Sequence, residues 1–402
     1  MQWPEFRSRP SEIVETKTPF IEILEEIKEV GGDAYRLCFQ CGLCDAVCPW
    51  NHVRKFSIRK IIREAAFGLT EIESDDIWCC TTCGTCPSVC PRGVDQIELG
   101  IALRRLASNY DVFAASAAAT QSARGSLTAE GNPLNEDREK RADWAEGLSV
   151  KPFTEDTEIL FFGCCYLSYD PRMKKVAKAT AAVLNKAGVN YGILGTQESC
   201  CGESIRKTGA EDTFKVLARE NIKTFIDNGV KKIVVSSPHC YETFKNEYPE
   251  FMVNFEVIHM TEFLLDLIKE GRLEITGEYG KKVTYHDPCY LGRHNNIYDE
   301  PREILRSIPG LTFNEMAASR NNSLCCGGGG GRVWMETEKG ERFSDIRVEQ
   351  AIDAGAEVLV TSCPYCIANF EDSRLTLDVT EKIEIKDITE IIRESIQETE
   401  ET

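Results

Sequence analysis

Apolar positions along the chain change their period near residue 151. Before it they recur at helical spacing. Ile21, Ile23, Leu24 and Ile27 form one such stripe, Ile58, Ile61, Ile62, Ala65 and Ala66 a second, and Val94 to Leu106 a third. Ser57 stands where the second helix needs a cap, and Pro91 and Gly93 open the third. Beyond residue 151, short apolar runs at 158–162, 191–194, 232–235 and 255–258 alternate with helical stripes such as Val176, Ala179, Val183 and Leu184. Runs at 282–285, 311–313, 357–360 and 383–385 repeat that order. Strands separated by helices predict short parallel sheets. Thr261 is expected to cap the helix at 262–268.

The two strand–helix stretches are copies of one another. Cys165, Cys200-Cys201-Gly202 and Cys240 recur as Cys289, Cys325-Cys326-Gly327 and Cys363, at offsets of 124, 125 and 123 residues. The stripe Ile388, Ile391, Ile392 and Ile396 is expected to pack on the second copy as Phe263, Leu264, Leu267 and Ile268 do on the first. The fold expected is therefore multi-domain α plus α/β. An α-helical cysteine-loop domain occupies 1–110, a linker or excursion wrapping a neighbour 111–150, and duplicated α/β domains with short parallel sheets 151–275 and 276–402.

Charge and composition narrow the function. A formal charge of −18 excludes nucleic acid and unaided adhesion to an anionic membrane. There is no apolar run of about 18 residues to span a bilayer. The first ten residues lack the apolar stretch of a secretory signal, so a cytoplasmic, reducing compartment is expected. The 19 cysteines then read as metal ligands or redox groups rather than disulfides.

Eight of them form two copies of one motif, Cys38-x2-Cys41-x2-Cys44-x3-Cys48-Pro and Cys80-x2-Cys83-x2-Cys86-x3-Cys90-Pro. Three closely spaced cysteines wrap three corners of a [4Fe–4S] cube, and the fourth serves the other cube. Cys38, Cys41, Cys44 and Cys90 are thus expected on one cluster, and Cys80, Cys83, Cys86 and Cys48 on the other. Zinc, which favours two separated ligand pairs, fits this spacing poorly. Cys79 reads as a small buried apolar residue.

Five more, Cys289, Cys325, Cys326, Cys363 and Cys366, lie at the ends of three predicted strands, where open α/β units bind ligands. Five thiolates exceed the need of a cube, which implies an unusual cluster. The first copy offers Cys165, Cys200, Cys201 and Cys240, with Thr243 where Cys366 would be. It holds an altered cluster recruiting Cys164 or His239, or is a relic kept by packing, or binds another cofactor. Gly327 to Gly331 lack the Lys-Ser/Thr of a phosphate loop and read as close backbone approach to a cluster. His286 is a candidate proton donor, and His239 and His294 weaker ones. Arg293, Arg320 and Arg332 are expected to be solvated.

The segments CFQCGLCDAVCPWNHVRKFSIRKIIREAAFGL, WCCTTCGTCPSVCPRGV and HDPCYLGRHNNIYDEPREIL resemble the heterodisulfide reductase D-like family with CCG domains, most closely its DsrK type from the Dsr membrane complex. The resemblance covers about residues 30–402. It implies two [4Fe–4S] clusters feeding a noncubane [4Fe–4S] cluster on Cys289, Cys325, Cys326, Cys363 and Cys366 that cleaves a disulfide or trisulfide. By resemblance, the partners would be a DsrM-like membrane cytochrome b subunit, which would hold the chain at the cytoplasmic face, and a DsrC-like small sulfur carrier as substrate in sulfate or sulfite respiration. A heterodisulfide reductase would instead act on the mixed disulfide of coenzymes M and B. Related subunits of glycolate and lactate oxidising complexes imply a third role, a non-catalytic relay. The single complete five-cysteine motif fits the DsrK type better than the D subunit, which carries two.

Overall fold

The computed structural model describes residues 20–69, 72 and 74–396, so the leading decapeptide lies outside the described residues. The helices Ile21–Glu29, Ile58–Ala66 and Gln96–Asn109 surround the N-terminal cysteine loops. Ile27, Ile62, Ala65, Leu99 and Leu103 fill the space between them. Ser57 Oγ accepts the Lys60 amide at 3.0 Å, as a cap should. The third helix starts two residues beyond Val94 because the Asp95 carboxylate accepts the Glu98 amide at 2.9 Å. Gly42 and Gly84, both left-handed, open matching short helices, Leu43–Val47 and Thr85–Ser88, inside the two loops.

The first sheet holds β1 (Lys151–Pro152), β2 (Ile159–Phe162), β3 (Tyr191–Ile193), β4 (Lys232–Val235) and β5 (Glu256–His259), in the order β1-β3-β2-β4-β5. The second holds β6 (Lys282–Tyr285), β7 (Thr312–Phe313), β8 (Val358–Thr361) and β9 (Glu384–Asp387), in the order β7-β6-β8-β9. Every pair is parallel, and four strands of the first sheet repeat the order of the second. Parallel pairing needs helical crossovers, which cover both faces. The central strands β2 and β8 are accordingly buried throughout.

One cap differs from expectation. His259, not Thr261, caps the helix Met260–Lys269. Its ring nitrogen accepts the Thr261 amide at 3.3 Å, and Glu262 accepts the His259 amide at 3.2 Å. Asp387 and Glu390 form the same box for Ile388–Ser395.

The segment 111–150 is an ordered arm on the first half. It contains the helix Ala118–Glu130 and a turn at Arg138–Ala145, and Trp144 packs edge-on against Phe161 at 6.1 Å. All three units meet at Arg104, which is fully buried. Its Nε donates to Ile77 O at 2.8 Å, Nη2 to Cys80 O at 2.8 Å, and Nη1 to Lys207 O and Gly330 O, both at 2.9 Å. No helix among the described residues is long and apolar enough to cross a membrane.

Candidate functional site

Cys38, Cys41, Cys44 and Cys90 line one small cavity beneath Phe39 and Ile62. Cys41 is exposed there, whereas burial pushes the Cys44 thiol up to about 11. Cys48 crosses to lie with Cys80, Cys83 and Cys86, and burial pushes Cys48 and Cys86 well up. Gln40 and Thr82, two residues into each motif, are both left-handed, at φ +66° and +51°. That turn aims their amides at Cys38 Sγ and Cys80 Sγ, each at 3.4 Å. Cys79 is buried as expected, but its sulfur also receives a hydrogen bond from Arg54 Nη2 at 2.7 Å.

In the second half, β6 leads to Cys289, β7 to Cys325 and Cys326, and β8 to Cys363 and Cys366. The five thiols form a continuous chain of contacts, with Cys366 Sγ 3.3 Å from Cys326 Sγ. Donation from Cys325 and Cys366 holds Cys326 well below the ordinary thiol value despite burial. The Gly327 amide reaches Cys325 Sγ at 3.3 Å, so the start of the glycine run does approach the sulfurs. The rest of the run serves a seam between units. A Cβ on Gly329 would meet Thr81 O at 2.3 Å, one on Gly330 would meet Cys80 O at 2.5 Å, and one on Gly331 would meet Thr208 Cγ2 at 2.4 Å. Across this seam Cys325 touches Cys83.

Two of the three arginines are not solvated. Arg293 donates to Cys83 O at 2.6 Å, Ser323 O at 2.7 Å and Asn321 O at 3.1 Å, which clamps the two cysteine loops together. Arg332 is buried over Trp50, with its guanidinium carbon 5.3 Å from the ring centre. Arg320 stays exposed beside Asp299. His286 lies within 4.8 Å of Cys326 and Cys366, but burial and Arg347 hold it neutral, far below its usual value. Arg347 Nε donates to its Nδ1 at 3.1 Å, so the proton sits on Nε2, which has no hydrogen-bond partner. His286 is therefore a hydrogen-bond donor and not the acid expected from sequence. His294, lowered to about 4 by burial, stacks on Tyr290 and pairs with Thr82 O at 2.9 Å.

A cavity of about 380 Å³ open to solvent adjoins this site, walled by Trp50, Arg332, Phe343 and Asn369, with Cys326 among its lining residues. Sequence reasoning missed it because its walls come from separate units. The signal present was the dense polar and aromatic segment from Arg332 to Phe343.

In the first half, Cys165, Cys200, Cys201 and Cys240 line a second small cavity, and Cys164 lines it with them. His239 borders it but turns to Glu203, where Nδ1 and Oε2 lie 3.0 Å apart at an angle poor for a hydrogen bond, and reaches Cys363 of the second half. Burial opposes its charge, yet Glu203 and Cys363 raise it to about 10. Tyr290 and Tyr365 flank its ring at 4.2 and 4.4 Å.

Eighteen of the 19 cysteines thus fall into four groups, and Cys79 stands apart. Crowded buried sulfurs whose main partners are one another suit clusters that displace their protons. The 4Fe-4S dicluster domain family matches residues 34–94, and the cysteine-rich CCG domain family matches 159–245 and 283–371. The D subunit of the dihydromethanophenazine:CoB–CoM heterodisulfide reductase of Methanosarcina mazei is 33% identical over 392 residues, covering 89% of this chain and 93% of the relative. The probable iron–sulfur-binding oxidoreductase FadF of Bacillus subtilis is 40% identical over 285 residues, 69% of this chain. The EtfAB:quinone oxidoreductase of Syntrophomonas wolfei is 36% identical over 271 residues, 64% of this chain. Those two alignments span only 40% and 38% of the relatives' own lengths. The chain belongs to the heterodisulfide reductase D-like family of iron–sulfur oxidoreductases.

Proposed function

We propose that electrons enter at the outer site (Cys38, Cys41, Cys44, Cys90), cross the inner one (Cys48, Cys80, Cys83, Cys86) and cleave a substrate S–S bond at the second CCG site. The balance is R–S–S–R′ + 2 e⁻ + 2 H⁺ → RSH + R′SH. The observation that carries this reading is the cavity of about 380 Å³ that Cys326 lines, an opening that a buried relay site does not need. When bound to Cys289, Cys325, Cys326, Cys363 and Cys366, a noncubane [4Fe–4S] cluster would supply single electrons and iron for a departing thiolate.

The chain's residues do the rest. Trp50 and Phe343, 4.8 Å apart edge to face, wall the cavity and exclude water from one side. Arg347 fixes His286 so that Nε2–H is left for sulfur. Arg332 puts positive charge beside the substrate. The cavity takes a small disulfide, such as the mixed disulfide named for the methanogen relative, or the extended end of a carrier chain bearing the trisulfide implied by the DsrK resemblance. Electrons would come from a DsrM-like cytochrome b subunit that keeps the chain peripheral at the cytoplasmic face of the membrane.

Cys326→Ser tests this. We expect disulfide turnover to fall by about 100-fold or more while dithionite still reduces the two sites of the N-terminal, ferredoxin-like dicluster domain. Turnover equal to wild type overturns the site.

A second reading, an electron relay, is favoured by the likeness to FadF and the EtfAB:quinone oxidoreductase over two fifths of their length. Electron paramagnetic resonance of oxidised protein titrated with thiol separates the two. A thiol-sensitive signal supports catalysis, and an unresponsive one in fully loaded protein supports the relay.

A further inference from the structure

We propose that the first CCG half carries its own five-thiolate iron–sulfur site, formed by Cys164, Cys165, Cys200, Cys201 and Cys240, with Cys164 supplying the ligand that Thr243 cannot. This rests on the reading that CCG sites hold iron–sulfur clusters.

Three observations carry it. The five thiols line one small cavity and touch in sequence. Cys165 meets Cys200, Cys200 meets Cys201, Cys201 lies 3.4 Å from Cys240, and Cys240 meets Cys164. The second half shows the same kind of chain, with Cys326 meeting Cys366 at 3.3 Å and Cys366 meeting Cys363.

The backbone at Cys164 is left-handed, at φ +48°, on the first residue of the helix Cys164–Tyr169. A non-glycine residue seldom adopts that conformation, and it persists where surroundings enforce it. Here it turns the Cys164 thiol in with the other four, and Ser168 Oγ fixes the turn by donating to Cys164 O at 2.9 Å.

The two halves also exchange positions. The residue matching Cys164 in the second half is Pro288, whose ring fixes a negative φ and which carries no sulfur. The residue matching Cys366 in the first half is Thr243, fully buried with a hydroxyl that has no hydrogen-bond partner. Each half lacks one cysteine that the other has, and each ends with five.

A charged residue serves the first group as well. Arg141, almost wholly buried, sits 3.6 Å from Cys165 Sγ and 3.3 Å from Glu198. Although paired with Glu198, Arg141 still presents Nη1 to Cys165 as a charged donor to one sulfur of the group.

The test is iron and acid-labile sulfide per full-length chain, purified without oxygen, with Mössbauer spectra. With four four-iron sites, Cys164→Ala is expected to lose about a quarter of both, and Cys366→Ala about a quarter from a spectrally separate site. Thr243→Cys added to Cys164→Ala should return the iron, which also guards against a variant that only folds poorly. Full iron with unchanged spectra in Cys164→Ala overturns the proposal. So does a loss that Thr243→Cys does not recover in protein whose circular dichroism matches wild type. Iron unchanged in Cys366→Ala and Cys326→Ala would instead remove the underlying reading that CCG sites hold clusters.

Discussion

Arg293 gives its donors to three main-chain carbonyls, those of Cys83, Asn321 and Ser323. Arg293→Ala would leave those acceptors unpaired. We expect a loss of about 1–3 kcal/mol in chemical denaturation, with Arg293→Lys recovering little because an ammonium lacks the planar fork. His259 gives a pH-dependent case. Burial holds it at about 3, against 6.5 for the free side chain. The unfolded chain therefore takes up the proton first. Stability is full above pH 6.5 and falls as pH drops from there towards 3, by up to about 1.4 kcal/mol per unit. His259→Asn keeps a cap acceptor without a titrating ring, so its urea midpoint should vary less between pH 7 and pH 5 than that of wild type. An identical slope would remove His259 from the acid response. At this scale the ferredoxin cysteines were legible because their spacing is local. Arg293 and Arg332 were not, because an arginine is solvated by default, and Arg293 finds Cys83 210 residues away along the chain.

Elements explain the seam and the duplication. The strands stood out in the sequence because parallel strands buried on both faces read as unbroken apolar runs, as β2 and β8 do. The arm at 111–150 did not, since its hold on the first half comes from single residues, Trp144 on Phe161 and Arg141 on Glu198. The glycine run was half legible. Its start serves Cys325, but Gly329 and Gly330 lie close against the backbone of another unit at Thr81 O and Cys80 O. Gly330 has φ +63° and no room for a Cβ beside Cys80 O. Gly330→Ala should lower stability by about 1–3 kcal/mol and slow electron transfer from the inner ferredoxin site to the second CCG site. Stopped-flow reduction followed by rapid freezing would read both populations, and an unchanged rate would detach the seam from the wire.

The molecule as a whole is strongly acidic, at −18 before any cluster charge is added. Its field should draw cationic donors and repel anionic ones within about 10 Å at 0.1 M salt. Reduction by the methyl viologen radical cation should therefore slow as salt rises, while reduction by the dithionite-derived radical anion quickens. Equal salt slopes would show that local charge at Arg59 and Arg92, beside the outer site, cancels the net field there, and reversed slopes that it outweighs it. Whole-chain assembly was the least legible level, because it depends on contacts such as Arg104 to Lys207 and Gly330 that no local pattern announces. That arginine has a consequence for heredity. Its four carbonyl partners belong to three units, so recombination that swapped one unit for a homologous one would have to bring a matching carbonyl at the same spot or strand a buried cation. The three units are bound to descend together, and a transplanted ferredoxin unit would keep only the Ile77 and Cys80 carbonyls and arrive with Nη1 of its guanidinium unpaired.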